Sequence, residues 1–419
     1  MNINENTVLP GFIAWLICSC NLGIYYFNCY RLFLQTIKLL IRNDFMFLAY
    51  IGAILKKTHV GDYIIKNKIL ARLFMKGIDC KNIPKLEESR NILNETSPLP
   101  IGTSIVSNRN KNIMQYDLKI IIPVYNVEKY IAECLKSVID QDCRYKIKIQ
   151  IINDGSTDNS LARLSPYLDD EKVSLISQKN KGFSAARNKG LETLDSKYIM
   201  FLDSDDTLEP NSIELLLDKA FADNADIVEG SFNYITKNGR TKGIVHKDLN
   251  NVSSELLIGY PWGKVIRATL FSRVQFPLDF WYEDSIISYL IYSLSSNNST
   301  ISNSVYNYRY NSSGISVTSK QNPKCVDTFW ITELMLDELG ALKLPKTDRI
   351  VNLFFSQVIL NFRRTRYMSD EVKKAIFVQT IYLIKRKFKN CEPSKKFDEL
   401  YNSLLRKDYK AYYMLCTFL

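Results

Sequence analysis

The stretch YIMFLDSDDTLEP, residues 198–210, joins an apolar run directly to a cluster of carboxylates. Ile199 to Leu202 are apolar, and Asp203, Asp205 and Asp206 follow them. A short, continuous apolar run predicts a strand that is buried on both faces of a parallel sheet. Carboxylates crowded at its end repel one another unless a cation or a proton joins them. The stretch therefore predicts a central strand that ends at a ligand site.

Strand and helix patterns alternate on both sides of this stretch. Helices are predicted over 127–141 and 209–223, and strands over 118–124, 146–154, 173–178, 196–203 and 226–232. This alternation predicts an α/β fold, an open and mostly parallel sheet with helices on both faces. Ligands of such sheets bind beyond the carboxyl ends of the strands. Asp154 and the three carboxylates after residue 202 should therefore face one crevice.

The composition narrows the classes of partner and chemistry. The chain has 419 residues and a formal net charge of +11, which suggests an anionic membrane surface, a nucleic acid or a phosphorylated substrate. No nucleic-acid-binding motif accompanies the basic residues, so nucleic acid is not an expected partner. Nine cysteines without metal-like spacing indicate reduced thiols in the cytosol. His59 and His246 are the only histidines, so a histidine-based metal site or triad is disfavoured.

The N-terminal region, residues 1–115, is predicted to be helical, with a linker over 88–115. Residues 8–30 carry no charge, and as a helix they would extend roughly 35 Å, enough to cross a bilayer. A membrane span, a helix on the membrane surface and a helix of a soluble core all remain open for them. Basic residues follow this run and none precedes it, which favours a cytoplasmic location for the rest of the chain.

The C-terminal region, residues 319–419, is predicted to be helical and basic. The segment 370–390 alternates apolar and Lys/Arg positions. Such a helix lies on an anionic membrane, or packs on its own protein with its lysines in solvent. Both alternatives remain open at this point.

The carboxylate cluster after residue 202 allows three metal-site hypotheses. A calcium loop of the EF-hand type would need glycine where Leu208 stands, and it would follow a helix instead of a strand. The motif also resembles the Asp-x-Asp-x-Thr nucleophile of haloacid-dehalogenase-like phosphatases, with Lys264, Glu283 and Asp284 as the remaining residues. That family places the motif on its first strand, whereas three strand–loop units come first in this chain.

The third hypothesis uses five segments in order. They are IIPVYN (121–126), NDGSTDNS (153–160), NKGFSAARNKG (180–190), LDSDD (202–206) and FWYEDS (280–285). This order resembles the glycosyltransferase family 2 enzymes of bacterial surface-polysaccharide synthesis, which have the GT-A fold and use nucleotide sugars. The resemblance is strong over about 118–210, weaker to about 315, and absent from both ends. It implies a GT-A domain over 116–318.

The resemblance implies a site for a UDP-sugar donor. Its expected residues are Pro123, Tyr125, Asn126, Asp154, Arg187, Asp203, Asp205 and Asp206. Asp154 would accept from the uracil N–H, Arg187 would lie near the diphosphate, and Asp203 would meet the ribose. Asp205 would hold Mn²⁺ or Mg²⁺ against the diphosphate, since carboxylate oxygens suit hard divalent cations.

The resemblance also implies an acceptor side. Asp284 is the candidate base that takes a proton from the acceptor hydroxyl, and Glu283 is a candidate acceptor contact. Trp262 and Lys264 are further acceptor candidates, but Gly263 stands where related enzymes usually have a polar residue, so a packed tryptophan and a solvated lysine remain the alternatives. Trp281 is a third candidate, because its ring offers a face on which a sugar can stack.

The implied activity is an inverting, single-addition transfer of a hexosyl or N-acetylhexosaminyl group, in capsule, exopolysaccharide or other cell-surface polysaccharide synthesis. The acceptor would be a glycan or a sugar linked to polyprenyl diphosphate at the inner leaflet, which places the protein on the cytoplasmic side of the membrane. A haloacid-dehalogenase-like phosphatase and a catalytically inactive GT-A carbohydrate-binding protein remain the alternatives.

Overall fold

The computed structural model describes residues 65, 68–100, 105–109, 111–236, 239–311 and 321–419. The predicted span over residues 8–30 lies outside them. Within the described residues, no helix has the length and apolar character needed to cross a membrane. Cys80–Cys416 form one compact unit, and a second unit contains helix α1 (Lys68–Lys76). The position of residues 116–318 as a separate domain stays a prediction.

A mixed sheet of nine strands forms the centre of the described part of Cys80–Cys416. The order across the sheet is β3 (Val173–Ser177), β2 (Ile147–Asn153), β1 (Lys111–Val124), β4 (Leu194–Phe201), β8 (Lys264–Arg267), β6 (Ile227–Thr236), β9 (Asn298–Arg309) and β5 (Thr207–Leu208), with β7 (Gly239–Lys242) beside β6. β1 to β4 pair in parallel. β8 is antiparallel to both β4 and β6, and β9 is parallel to β6, so six strands run in one direction.

The central strands are buried on both faces, as their apolar runs predict. Ile120, Ile121 and Ile122 of β1 have no exposed surface. In the β1–β4 pairing Ile121 lies opposite Phe201, so both strands end at the same edge of the sheet. The predicted strands are confirmed within about four residues at each end, except that β1 begins seven residues earlier than predicted, inside the segment predicted as a linker. The α/β architecture is confirmed.

Helices cover both faces of this sheet. The helices are α3 (Ile131–Ile139), α4 (Ser160–Leu164), α5 (Phe183–Gly190), α6 (Ser212–Ala222), and a π-helical turn (Ile287–Ile291) that continues into α7 (Tyr292–Leu294). α3 and α6 share a core with Ile120 and Ile122. α5 packs on the opposite face, where a Cβ on Gly190 would come within 2.5 Å of Ile121. Only glycine permits this close approach of α5 to β1.

The segment predicted as a linker begins instead with a packed helix, so that prediction is wrong for its first part. Helix α2 (Leu86–Thr96) buries Leu93 completely. Gln379 donates hydrogen bonds to the carbonyl oxygen of Leu86, at 2.9 Å, and to Ser89, at 2.8 Å. The polar residues of α2 therefore look like a linker in sequence because their partners lie far along the chain.

The C-terminal region is helical, as predicted. Its helices are α8 (Asp327–Ala341), α9 (Asp348–Thr365), α10 (Asp370–Lys387), α11 (Asp398–Leu405) and α12 (Tyr409–Phe418). α10 buries Phe377 and Leu383 within the protein, and Lys373 and Lys374 are only 4% exposed. Lys373 pairs with Asp370 at 2.7 Å. The membrane-surface alternative for α10 is therefore wrong, and so is the expectation that all of its lysines lie in solvent.

Candidate active site

The loops that follow β1 and β2 are joined by hydrogen bonds. Asn126 adopts a left-handed conformation, with φ of 50°, which asparagine tolerates better than most residues. Its side-chain oxygen accepts from the backbone N–H of Thr157 at 2.8 Å, and its own N–H donates to Ser156. Pro123 is partly exposed, and Tyr125 is 47% exposed. The predicted base-pocket residues therefore border one open surface at the carboxyl ends of β1 and β2.

Asp154 ends β2 and organises the segment before α5. It is 2% exposed and accepts hydrogen bonds from Gln178 at 2.7 Å and from the backbone N–H groups of Lys181 and Gly182 at 3.0 and 2.7 Å. A carboxylate can accept about four hydrogen bonds, so one acceptor position remains. The neighbouring Gly155 has φ of 74°, and a Cβ there would lie 2.9 Å from the backbone nitrogen of Asn180.

Arg187 links the end of β4 to a distant acid pair. Its side chain, on α5, is almost fully buried. It forms an ion pair with Asp203 at 2.9 Å and another with Glu283. Burial alone would lower the pKa of Arg187, but the two carboxylates raise it, so the guanidinium stays charged. Arg187, of the segment 180–190, thus contacts one residue from each of two other segments, Asp203 of 202–206 and Glu283 of 280–285.

The three carboxylates after β4 lie in different environments. Asp203 is partly exposed. Asp206 is 1% exposed and accepts from the Tyr306 hydroxyl and from the backbone N–H of Arg309, both at 2.7 Å. Burial, then the charges of Asp203 and Asp205, raise the pKa of Asp206 well above its usual range. Buried in this way, the Asp206 side chain braces the loop that carries Asp205.

Asp205 is the carboxylate that fits a divalent cation. One of its oxygens accepts from Asn311 at 3.1 Å, and the carboxylate keeps further acceptor capacity. Burial, then the charge of Asp203, raises its pKa, against the hydrogen bond from Asn311 and the charge of Arg309. Within the described residues no three His, Cys, Asp or Glu side chains converge as a metal cage. Mg²⁺ usually takes one or two carboxylates and completes its shell with phosphate and water, which Asp205 can satisfy.

The acid pair lies in a strained loop between β8 and the π-helical turn. Asp279 and Tyr282 both have φ of 65°, an unfavourable conformation for an aromatic residue such as Tyr282. The backbone N–H of Trp281 donates to Asp327 at the start of α8, at 2.9 Å. This bond and the Arg187–Glu283 ion pair hold the loop on the two sides of Tyr282.

Burial raises the pKa of both acids of the pair. Burial and the neighbouring charge of Asp284 raise the pKa of Glu283 to about 7, although the charge of Arg187 lowers it. The pKa of Asp284 is also raised by burial, against the positive charges of Arg364 and Arg187. A carboxyl group whose pKa is moved towards neutrality is suited to general base or acid catalysis.

Residues 119–274 match the sequence model of glycosyl transferase family 2. The chain contains a family 2 glycosyltransferase domain. The resemblance to this family is confirmed, and four of the five segments lie within the match. The match covers β1 to β8, so the acid pair and the C-terminal helices lie beyond it.

The family 2 domain has bacterial relatives among known proteins. The chain is 34% identical to glycosyltransferase GlyA of Streptococcus pneumoniae over 48% of this chain and 31% of GlyA. It is 29% identical to glycosyltransferase GlyG of the same organism over 59% of this chain and 88% of GlyG. The chain thus spans less than a third of GlyA and most of GlyG.

A solved structure shares the fold. The crystal structure of S. aureus TarS 1-349 in complex with UDP-GlcNAc superposes with a TM-score of 0.54, covering 71% of this chain and 89% of that chain. The two sequences are 18% identical. This likeness shows the fold, and the predicted GT-A architecture of the glycosyltransferase domain is confirmed.

Lys264 is placed differently from the prediction. It has no exposed surface, forms an ion pair with Glu229, and donates to the Tyr292 hydroxyl and the carbonyl oxygen of Ile258, both at 2.6 Å. A buried charge is stable only with such partners. Lys264 is therefore neither an acceptor contact nor a solvated lysine. The phosphatase hypothesis, which needs Lys264 to reach a phosphate, has no support in the glycosyltransferase domain.

Trp262 is a packed residue that supports an exposed ring. It is 5% exposed and stacks between Tyr306, with ring centroids 4.5 Å apart, and Tyr260, with centroids 4.7 Å apart. Tyr260 is 42% exposed. The surface predicted for Trp262 is therefore offered by Tyr260. Trp281 is partly exposed beside Tyr282 and remains a predicted acceptor residue.

The sequence analysis missed two residues of this region, Tyr260 and Arg364. Burial, then the charge of Asp284, raises the pKa of Tyr260, so this phenol lies within electrostatic reach of the acid pair. Arg364 is on α9 and belongs to the basic C-terminal region. The aromatic, proline-flanked sequence around Tyr260 could have indicated it, but no pattern connects Arg364 with a loop so far away in sequence.

Proposed function

We propose that this protein transfers a hexosyl or N-acetylhexosaminyl group from a UDP-sugar to an acceptor hydroxyl, with inversion at the anomeric carbon. The observation that carries the proposal is the cluster of Arg187 with Asp203 and Glu283. It joins residues expected at the donor to residues expected at the acceptor in one crevice. A transferase needs this proximity, because both substrates must meet within reacting distance.

The donor would bind at the carboxyl ends of β1, β2 and β4. Pro123, Tyr125 and Asn126 would border the uracil and ribose, and the remaining acceptor position of Asp154 would take the uracil imide N–H. Asp203 would bind the ribose. A UDP-sugar is supported as the donor by the fold that the chain shares with TarS 1-349, which was crystallised with UDP-GlcNAc.

The diphosphate would be held by Arg187 and a divalent cation on Asp205. A guanidinium binds phosphate oxygens with two parallel hydrogen bonds, so Arg187 could exchange a carboxylate partner for the diphosphate. Mn²⁺ or Mg²⁺ would neutralise the charge that develops on the departing UDP. Asp206, tied to Tyr306, would keep the loop that carries Asp205 in place.

Asp284 would act as the base. It takes the proton of the acceptor hydroxyl while that oxygen bonds to the anomeric carbon and the bond to the UDP oxygen breaks. The bonding electrons of the broken bond leave with UDP. Glu283 would contact the acceptor, and the exposed face of Tyr260 would stack on a sugar ring.

The acceptor we propose is a glycan or a sugar on polyprenyl diphosphate, in the synthesis of a capsule or another surface polysaccharide. The net charge of +11 and the relatives in bacterial glycosyltransferases support this choice. A protein with this acceptor would work at the cytoplasmic side of the membrane.

The direct test is to incubate the protein with each UDP-hexose and UDP-N-acetylhexosamine and Mn²⁺ and to measure the slow release of UDP. We expect one donor to release UDP, and we expect UDP to raise the melting temperature only with metal and not in Asp205→Ala. Mass spectrometry of glycosylated products then identifies the acceptor. UDP binding without release from any donor would indicate the inactive carbohydrate-binding alternative, and neither binding nor release would refute the proposal.

A further inference from the structure

A partly buried arginine from the C-terminal helices contacts the loop that carries the acid pair. Arg364, near the end of α9, stacks its guanidinium on the ring of Tyr282, with 3.6 Å between the guanidinium carbon and the ring centroid. It donates to the Thr328 hydroxyl of α8 at 3.0 Å. In the described part of the chain no carboxylate forms an ion pair with it, although burial lowers its pKa and makes its charge costly.

The acidic group that acts most strongly on Arg364 is Asp284, followed by the phenols of Tyr282 and Tyr260. The charged and titratable groups that act on Asp284 come from five elements. They are Arg364 of α9, Arg187 of α5, Asp203 after β4, Glu283 of the same loop, and Tyr260 before β8. Arg187 is already shared between two carboxylates, whereas among the described residues no carboxylate lies within ion-pair distance of Arg364.

We propose that Arg364 is a positioning residue: stacked on Tyr282 and tied to α8, it fixes the loop that carries Asp284 and places a positive charge on the side of that carboxylate. This inference rests on the proposed function, in which Asp284 is the base. A positive charge at this point favours the carboxylate form of Asp284 against its burial. The stacking on Tyr282 also supports the strained backbone two residues before the base.

The proposal gives the C-terminal helices a part in the chemistry. Arg364 and Thr328 both lie outside the family match over residues 119–274. α8 holds the same loop a second time, through the bond from Trp281 to Asp327. The active site is thus completed by helices α8 and α9, which the family 2 domain itself does not contain.

The test compares Arg364→Met with Arg363→Met. Arg363 is the adjacent arginine of α9, and the titratable groups that act on it are Cys416 and Arg366, not Asp284. UDP release from the identified donor is measured against pH, with water as the acceptor if no glycan is known. On acidification the rate of UDP release falls, and we call this fall the acid limb. In Arg364→Met we expect the midpoint of the acid limb to lie about 1 pH unit higher than in the wild type, and the rate to recover at high pH. Arg363→Met should keep the wild-type limb, and Arg364→Lys should restore most of it.

A rate that falls equally at every pH in Arg364→Met would show a merely structural role and overturn the inference. If Arg364→Met does not fold, Arg364→Lys is compared with Thr328→Val, which removes the hydroxyl that accepts from the guanidinium. The inference would also be overturned if the pH at which the rate falls were unchanged in Thr328→Val but shifted in Arg364→Lys.

A second readout does not need turnover. The ¹³C titration of the Asp284 carboxyl, assigned with Asp284→Asn, should show a higher pKa in Arg364→Met than in the wild type. A wild type without UDP release from any UDP-sugar would refute the proposed function, while the carboxyl titration would still decide the electrostatic role of Arg364. An identical Asp284 titration in both proteins refutes that role.

Discussion

The two sides of the crevice are built in different ways. On the donor side, Asn126, Asp154 and Asp203 directly follow β1, β2 and β4, so the order of the strands places them. On the acceptor side, Glu283 and Asp284 lie in a strained loop between Arg187 of α5 and the C-terminal helices. A parallel sheet places donor residues by topology alone, whereas the acceptor side depends on individual side-chain contacts between elements distant in sequence. Substitutions on the two sides should therefore have different consequences.

The largest effect should come from the base. Asp284→Asn should lower the rate of UDP release about 10³-fold, because the acceptor proton then has no carboxylate to receive it. Donor binding should persist, since Asp284 is on the acceptor side. The measurement is the rate together with the thermal shift produced by UDP and Mn²⁺.

Asp279→Asn is the matched control for this variant. It removes a negative charge from the same loop at a position with φ of 65°, which asparagine tolerates. Its rate should stay close to that of the wild type. Equal losses in both variants would mean that the loop needs its charge and not a base at Asp284.

The next largest effect should come from the donor side. Asp205→Ala should lower the rate about 10²-fold and abolish the metal-dependent thermal shift by UDP, because the cation loses its protein ligand. Asp206→Ala should instead lower the free energy of unfolding by about 1–3 kcal/mol, since the Tyr306 hydroxyl and the Arg309 N–H lose a buried acceptor. If Asp206→Ala lost the metal-dependent thermal shift by UDP and Asp205→Ala kept it, Asp206 would be the metal ligand and Asp205 the residue that supports the loop.

The pH dependence should expose the acceptor side. A carboxyl group with a raised pKa stays protonated to higher pH, so its base form disappears as the pH falls through the raised value. Burial raises the pKa of Asp284 and brings that of Glu283 to about 7. The rate should therefore fall about tenfold per pH unit on acidification below the raised pKa of the base, which lies above the usual value of aspartate near 4. A limb near pH 4 would contradict the assigned environment of the pair.

The smallest effect on catalysis should come from the aromatic stack. Tyr260→Ala should raise the acceptor KM several-fold with little change in melting temperature, because Tyr260 is half exposed and has the free face. Trp262→Ala should lower the free energy of unfolding by about 3–5 kcal/mol, because it empties a packed site. An unchanged acceptor KM in Tyr260→Ala would remove this ring from the acceptor side.

The errors of the sequence analysis also divide between the two sides. The strands followed from apolar runs that end in polar residues, whereas the roles of the donor residues came from the resemblance to family 2 and stay predictions. Lys264 was misplaced because a lysine with a buried partner has the same local sequence as a solvated one; Glu229 pairs with it across two strands. Helix α2 was mistaken for a linker for the same reason, since its partners are on α10.

The sequence by itself determined the α/β sheet and the family, and it predicted the sheet edge at which a ligand would bind. It could do so because strand burial and strand-end motifs are local patterns whose meaning the parallel topology preserves. Only the tertiary structure decided that Arg187 joins Asp203 to Glu283, that Tyr260 and not Trp262 offers its face, and that Arg364 lies beside the acid pair. These facts depend on which side chains meet across the core, and the free energy of a buried charge is set by those partners and not by its neighbours in sequence.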